Sequence, residues 1–227
     1  RCSLQDEDLF YRLFGKNAEL LIDHAWGYEP CGIADVKAYR PASKSLGEGQ
    51  VLQTPYEAEK AKIVMLEMAD ALALQLVEQG LVTDQVVLTV GYDLENLSDP
   101  ARRAAYRGEV VTDFYGRQLP KHAHGSESLP HYSSSASELV AAFSALFDRI
   151  VNPSLTVRRL ALSANHVLPE REAEKHTESY AQLSLFTDCA AEEAKRAEET
   201  ARRERERKLQ EATLVIKKKF GKNALLK

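Results

Sequence analysis

The chain has 227 residues, 44% of them apolar, enough for one core of about 100–150 residues with appendages at either end. Its formal charge of −4 hides basic clusters at Lys37–Lys44, Arg102–Arg107, Arg117–His124, Arg158–Arg159 and Lys217–Lys222 and an acidic crowd at Glu192–Glu211, so net charge does not exclude nucleic acid. Cys2, Cys31 and Cys189 are odd in number and far apart, which excludes a disulfide framework, and the absence of an apolar run of about 18 residues or of a signal-peptide pattern points to a soluble, cytoplasmic protein.

Gln5–Phe14 and Asn17–Trp26 read as two short helices, with Phe10, Leu13, Phe14, Leu20, Leu21 and Ala25 at helical spacing and Gly15 as a stop. The chain starts at Arg1 without an initiator methionine, inside this hairpin, as expected of a piece of a longer polypeptide. Pro30, Gly32 and Pro41 make Gly27–Pro41 an extended linker, with a domain boundary near Asp35. Ser45–Gln53 predicts a strand. Thr54-Pro55-Tyr56-Glu57 then spells a capping box with proline at the first helical position. The helix it opens repeats Ala61, Val64, Met65, Met68, Leu72 and Leu76 at 3.6-residue spacing up to Gly80. Asp84–Tyr92 alternates Val86, Leu88 and Val90 as a half-buried strand does.

Asp93–Ala123 lacks sustained periodicity and holds Pro100, Gly108, Gly116 and Pro120, which predicts a long insertion between core strands. Lys121–Tyr132 can form a strand. Ser135 and Glu138 make a second capping box, opening a helix with Leu139, Val140, Phe143, Leu146, Phe147 and Ile150 on one face. Leu155–Val167 supplies a last strand. The predicted fold is α+β, a β-α-β-β-α-β order in which a four-stranded sheet carries two helices on one face and leaves the other free for a ligand.

Beyond Pro169 the core pattern stops. Gln182-Leu183-Ser184-Leu185-Phe186 stands as an isolated apolar cluster on a polar tail. Ala190–Lys219 reads as a solvated charged helix that could dock through Leu209, Leu214, Ile216 and Phe220. Phe14-Gly15-Lys16-Asn17-Ala18 recurs as Phe220-Gly221-Lys222-Asn223-Ala224, similar helix-terminus chemistry and not a repeat architecture.

The Phe14–Trp26 hairpin, the KSLGEGQVL strand from Lys44, the VLTVGYD strand ending at Asp93, the KHAHG run from Lys121 and the Arg158–Val167 strand resemble the thumb end and little finger of bacterial Y-family, UmuC-like translesion DNA polymerases. The likeness spans roughly Leu9–Phe186. It implies three parts: a helical thumb remnant with the start of a linker over 1–34, a little-finger DNA-binding domain over 35–169, and a tail over 170–227 with a clamp-binding peptide and a charged helix. The family's palm carboxylates hold two magnesium ions. No stretch here resembles the palm motifs, so no catalytic residue and no cofactor is assigned to this chain; magnesium would belong to the parent enzyme. Asp84, Asp93 and Asp99 read as turn and strand-end residues.

A little finger holds DNA mainly through phosphates, which favours short polar or basic side chains on strands that face the duplex. The residues that fit are Lys37 and Arg40 in the linker, Lys44, Ser45, Gly47 and Gln50 on the first strand, and Arg159, Ser163 and Asn165 on the last. Solvated strand or linker positions are the plainer alternative for each. Gln182, Leu183, Leu185 and Phe186 match the QLxLF peptide by which bacterial polymerases bind the β sliding clamp; local packing is the alternative. His122 and His124 could share one side of a strand, yet no third ligand at telling spacing joins them in a metal site. The function expected is that of the DNA- and clamp-binding region of an error-prone polymerase in DNA repair and the SOS response. A non-catalytic module recruiting the clamp or another repair factor is the alternative, and a small metal-dependent enzyme has the least support.

Overall fold

In the computed structural model the described residues are 6–39, 44–176, 189–221 and 224. The chain divides into two compact units, Arg1–Ala42 and Ser43–Lys227.

In the first unit, Asp6 caps α1 (Glu7–Phe14) by accepting the Asp8 N–H at 3.2 Å. A single 3₁₀ turn, Gly15–Asn17, leads into α2 (Ala18–Ala25), and Ala18 is fully buried at that bend. The linker is not extended throughout. It contains α3 (Ile33–Ala38), because Pro30 lies before the segment and the Asp35 carboxylate reaches back to accept the Gly32 N–H at 2.9 Å.

The second unit is α+β. Strands β1 (Leu46–Tyr56), β6 (Val157–Asn165), β2 (Leu81–Tyr92) and β5 (Ala123–Ser133) lie side by side in that order, each antiparallel to its neighbour. The two-residue β7 (Leu168–Pro169) pairs with the start of β2. α4 (Ala58–Gln79) joins β1 to β2 and α7 (Ala136–Ile150) joins β5 to β6, so each crossover passes over one intervening strand. These are two interleaved split β-α-β units.

Side-chain alternation decides what each face does. Val86, Leu88 and Val90 of β2 and Leu160, Leu162 and Ala164 of β6 are essentially wholly buried, in one cluster with Met65, Leu72 and Leu76 of α4 and Phe143 and Leu146 of α7. Helices α4 and α7 therefore cover the same face. Val157 and Leu160 are both buried although three residues apart, which requires one extra residue between them. The register slips accordingly, opposite Gly91/Tyr92 on β2 and Val51/Tyr56 on β1, and a bulge forms at Arg158 and Arg159. Arg158 is tied down, donating to the Gln53 carbonyl at 2.8 Å and lying 3.6 Å from Asp93.

The first helix starts later than its capping signal. β1 runs through Pro55 to Tyr56, and α4 begins at Ala58 with Glu57 as its N-cap and no side-chain cap. β1 is an edge strand, where a proline without an N–H is tolerated, and Tyr56 pairs with Val157 and packs on the core. At the other end Gly80 takes φ +64° and closes the helix as read from the sequence, its N–H bonding the Leu76 and Val77 carbonyls. Ser135 caps α7 by accepting the Glu138 N–H at 3.3 Å. Glu138 does not complete the box; its carboxylate faces His131 at 3.0 Å and Arg203 at 3.3 Å.

The insertion carries α5 (Glu95–Ser98), α6 (Pro100–Ala105) and a hairpin of β3 (Val110–Thr112) and β4 (Gln118–Pro120). Asn96, fully buried, fastens it to the sheet: its amide donates to the Asp93 and Thr156 carbonyls and its oxygen accepts the Thr156 N–H, each at 2.9 Å. Asp99 caps α6.

After β7 come α8 (Glu170–His176) and α9 (Cys189–Phe220). Of the residues expected to dock α9, Leu209 and Phe220 are 66% and 68% exposed and Leu214 alone is half-buried, so apolar docking is slight. The helix docks through polar groups instead. Buried Gln210 donates to the Ser134 carbonyl at 3.1 Å, and Glu206 accepts the Ser137 N–H at 2.8 Å and the Ser135 and Ser137 hydroxyls at 2.8 and 2.9 Å. Arg207 bonds Glu170, and Lys218 reaches Glu78 at 2.8 Å. The first turn of α7 presents unpaired N–H groups, which an anionic side chain satisfies better than an apolar one.

Candidate nucleic-acid interface

The face of the sheet opposite the helices is assembled by register, because residues directly opposed across strands point the same way. One row runs Asn165, Gln85, Ser128; the next Gly47, Ser163, Val87, Ser126; then Gly49, Ala161, Thr89, His124; and at one end Val51, Arg159, Gly91. Small and uncharged polar side chains dominate it, and no Asp or Glu occupies any of these positions. Its side chains are partly ordered among themselves. Thr89 Oγ1 and His124 Nδ1 lie 2.8 Å apart, the Ser163 hydroxyl donates to Asn165 Oδ1 at 3.1 Å, and Asn165 Nδ2 donates to Gln85 Oε1 at 3.3 Å. At the edge the two glycines of β1 leave the backbone bare.

A shallow, acid-free surface of short side chains suits the approach of a polyanion, since nothing on it repels phosphates and little shields its N–H groups. Arg159 adds a fixed positive charge at one end, exposed and without a carboxylate partner among the described residues. The opposite face differs in charge as well as in burial: Glu48 stands opposite Leu162 and Glu127 opposite Val86, both on the helix side.

The expected DNA contacts separate into groups. Gly47 and Ser163 are direct partners across β1 and β6, Asn165 lies one row away, and Arg159 closes the far row, so these four share the open face. Gln50 does not. It is three residues from Gly47 and opposes Leu160, so it projects to the helix side, where it is exposed at the sheet edge. Lys44 and Ser45 are exposed just before β1, and the Lys44 carbonyl accepts the Val167 N–H at 3.0 Å. Lys37 is exposed on α3 in the first unit. Arg40 lies outside the described residues, as do Gln182, Leu183, Leu185 and Phe186. The open face also includes Gln85, Thr89, His124, Ser126 and Ser128, which are not among the contacts expected from the sequence. The signal for them was present, since Gln85 and Thr89 alternate against Val86, Leu88 and Val90; it identifies a face only once the strand order is known.

The profile of the impB/mucB/samB family C-terminal domain matches residues 43–185. The chain belongs to this family. That domain is the C-terminal domain of Y-family, UmuC-like polymerases, and the match covers the sheet, helices α4 and α7 and the insertion of the unit described above. No curated protein matches the chain. The family places the domain in translesion synthesis and repair. Among the described residues no group of three His, Cys, Asp or Glu could hold a metal ion; His122 and His124 have ring centroids 6.4 Å apart, and His124 is engaged with Thr89. No helix among them is long and apolar enough to cross a membrane.

Proposed function

We propose that this polymerase C-terminal domain grips the DNA backbone with its open sheet face and tethers its parent enzyme to the sliding clamp, serving error-prone translesion synthesis in the cytoplasm during the SOS response. The observation that carries the DNA half is the acid-free face of Gly47, Ser163, Asn165, Gln85, Thr89 and Ser126, bounded by Arg159. Its contacts would be with phosphates, which tolerates any template sequence and so suits an enzyme that must accept damaged bases. Lys44 and Ser45 would extend the same contact at the start of β1, and Lys37 and Arg40 of the first unit would add phosphate contacts of their own. Gln50 supports it only from the sheet edge. The clamp half rests on Gln182, Leu183, Leu185 and Phe186, where a glutamine amide can bond a pocket rim while three apolar side chains fill the pocket. Magnesium-dependent nucleotidyl transfer is assigned to the parent's palm and to no residue of this chain.

Fluorescence anisotropy with a labelled duplex tests the DNA half. Log affinity should fall linearly with log salt and vary little with sequence, each phosphate contact adding about 0.9 to the slope. A flat salt response would reject it. Binding to purified β clamp, lost when Leu185 and Phe186 are both alanine, tests the tether independently; clamp binding with no DNA binding would leave a recruitment module.

A further inference from the structure

The insertion ends in a hairpin tip whose construction the sheet does not need. Phe114 and Tyr115 stand there 97% and 76% exposed. Apolar rings of that size are not left in water without a cost in free energy, and nothing in the local fold forces them out. The loop that carries them is rigidly made. Asp113 accepts the Tyr115 and Arg117 N–H groups at 2.9 Å each and the Arg117 Nε–H at 2.7 Å, while the Asp113 N–H donates to the Arg117 carbonyl at 2.9 Å. Gly116 turns the chain at φ +77°, a conformation that favours glycine. The two rings sit edge to face, centroids 5.6 Å apart, and the Arg117 guanidinium lies 5.0 Å from the Tyr115 centroid. The hairpin is braced at its base by the Lys121 N–H on the Glu109 carbonyl at 2.8 Å and by the Tyr106 hydroxyl on the same carbonyl at 2.9 Å.

Charge and position narrow the partner. The hairpin and its base, residues 107–121, hold Arg107, Arg117 and Lys121 against Glu109 and Asp113, and both acids are already paired with Lys121 and Arg117, so neither is left to repel a phosphate. After β4 only Lys121 and His122 intervene before β5, the strand that brings His124, Ser126 and Ser128 to the open face. Three-residue arms at about 3.3 Å each project the tip roughly 10 Å beyond the hairpin base. A pair of preordered aromatic rings with an arginine over one of them, on an arm that runs directly into a strand of the open face, fits an unpaired nucleobase.

We infer that Phe114 and Tyr115 form a stacking site for an unpaired base of single-stranded DNA adjoining the duplex held by the sheet. The inference rests on the DNA-gripping role of that face. The site takes any base, because stacking uses the ring plane and not the base edge.

The test uses the full 227-residue chain with three probes: a blunt duplex, the same duplex with a single-stranded overhang, and the overhang oligonucleotide carrying 5-iododeoxyuridine. The overhang substrate should bind more tightly than the blunt one. In a Phe114→Ala/Tyr115→Ala variant that advantage should shrink roughly five- to tenfold, from lost base stacking, with blunt-duplex affinity unchanged. Phe114→Trp/Tyr115→Trp should keep it, and irradiation should crosslink the iodinated base to Phe114 or Tyr115. Equal affinity of the wild-type chain for both duplexes would overturn the inference, as would equal loss on both in the alanine variant, or crosslinks mapping elsewhere. Should the blunt duplex fail to bind at all, the sheet-face proposal falls, and the crosslink alone still decides this one: an adduct at the tip supports it and none refutes it.

Discussion

The two faces of one sheet, built from the same four strands, follow opposite rules. On the helix side Leu88, Val86, Val90, Leu160 and Leu162 are at most 2% exposed and interlock with Met65 and Phe143. One residue along each strand, on the open side, stand Thr89, Val87, Gly91, Ala161 and Ser163, small and partly exposed. Strand geometry separates the two by a single peptide, so one sequence can be optimised for stability and for a ligand at once without either constraint invading the other. Damage to one face should therefore read out as lost fold and damage to the other as lost binding.

The largest expected effect lies on the packed side. Phe143→Ala removes a fully buried ring from the junction of α7 with the sheet and should cost about 3–5 kcal/mol in urea unfolding. A loss below roughly 1 kcal/mol would mean that the core is looser than its burial indicates. Next comes the open side. Arg159→Glu should leave the urea midpoint nearly unchanged, as surface substitutions do. It should weaken duplex binding about tenfold and lower the salt slope by about 1. Gln50→Glu is its internal control: by register it projects to the other side, so its effect on DNA should be several-fold smaller. If the two substitutions weaken binding equally, the division by face is wrong.

How much of this was legible in the sequence follows from the range of the forces involved. Helix α4, its stop at Gly80, and the strands around Val86–Val90 and Leu160–Ala164 could be read because their periodicity is local and uninterrupted. The capping box at Thr54–Glu57 misled, because a pairing made far along the chain, Tyr56 with Val157, kept the segment in the sheet. Gln50 is close to Gly47 in sequence, yet strand parity sets the two on opposite faces. Thr89, Ser126 and Ser128 join Ser163 only through the strand order β6-β2-β5, which no local pattern encodes. The docking of α9 escaped for a related reason: amphipathic reasoning looks for an apolar stripe, and this helix is held by Glu206 and Gln210 against the start of another helix.

That docking is the smallest expected effect, and it is the one that responds to pH. Partial burial by itself pushes the Glu206 carboxyl up, but the Ser137 N–H, the Ser135 and Ser137 hydroxyls and nearby Arg202 outweigh it and hold the group below its ordinary value of 4.5. A carboxyl lowered in the folded state contributes stability that is present above its unfolded value and is lost as pH falls through the folded one. Below about pH 4.5 the start of α7 should therefore release its hold on α9. Hydrogen exchange in α9, corrected for intrinsic rates, should stay level from pH 6 to about pH 5 and rise between about pH 4.5 and pH 3 while α4 stays protected. Glu206→Gln should raise α9 exchange already at pH 6, a loss of about 1 kcal/mol of local stability, and should flatten the pH response. Identical exchange in both proteins across that range would show that α9 is held by something other than the anchor at Ser135 and Ser137.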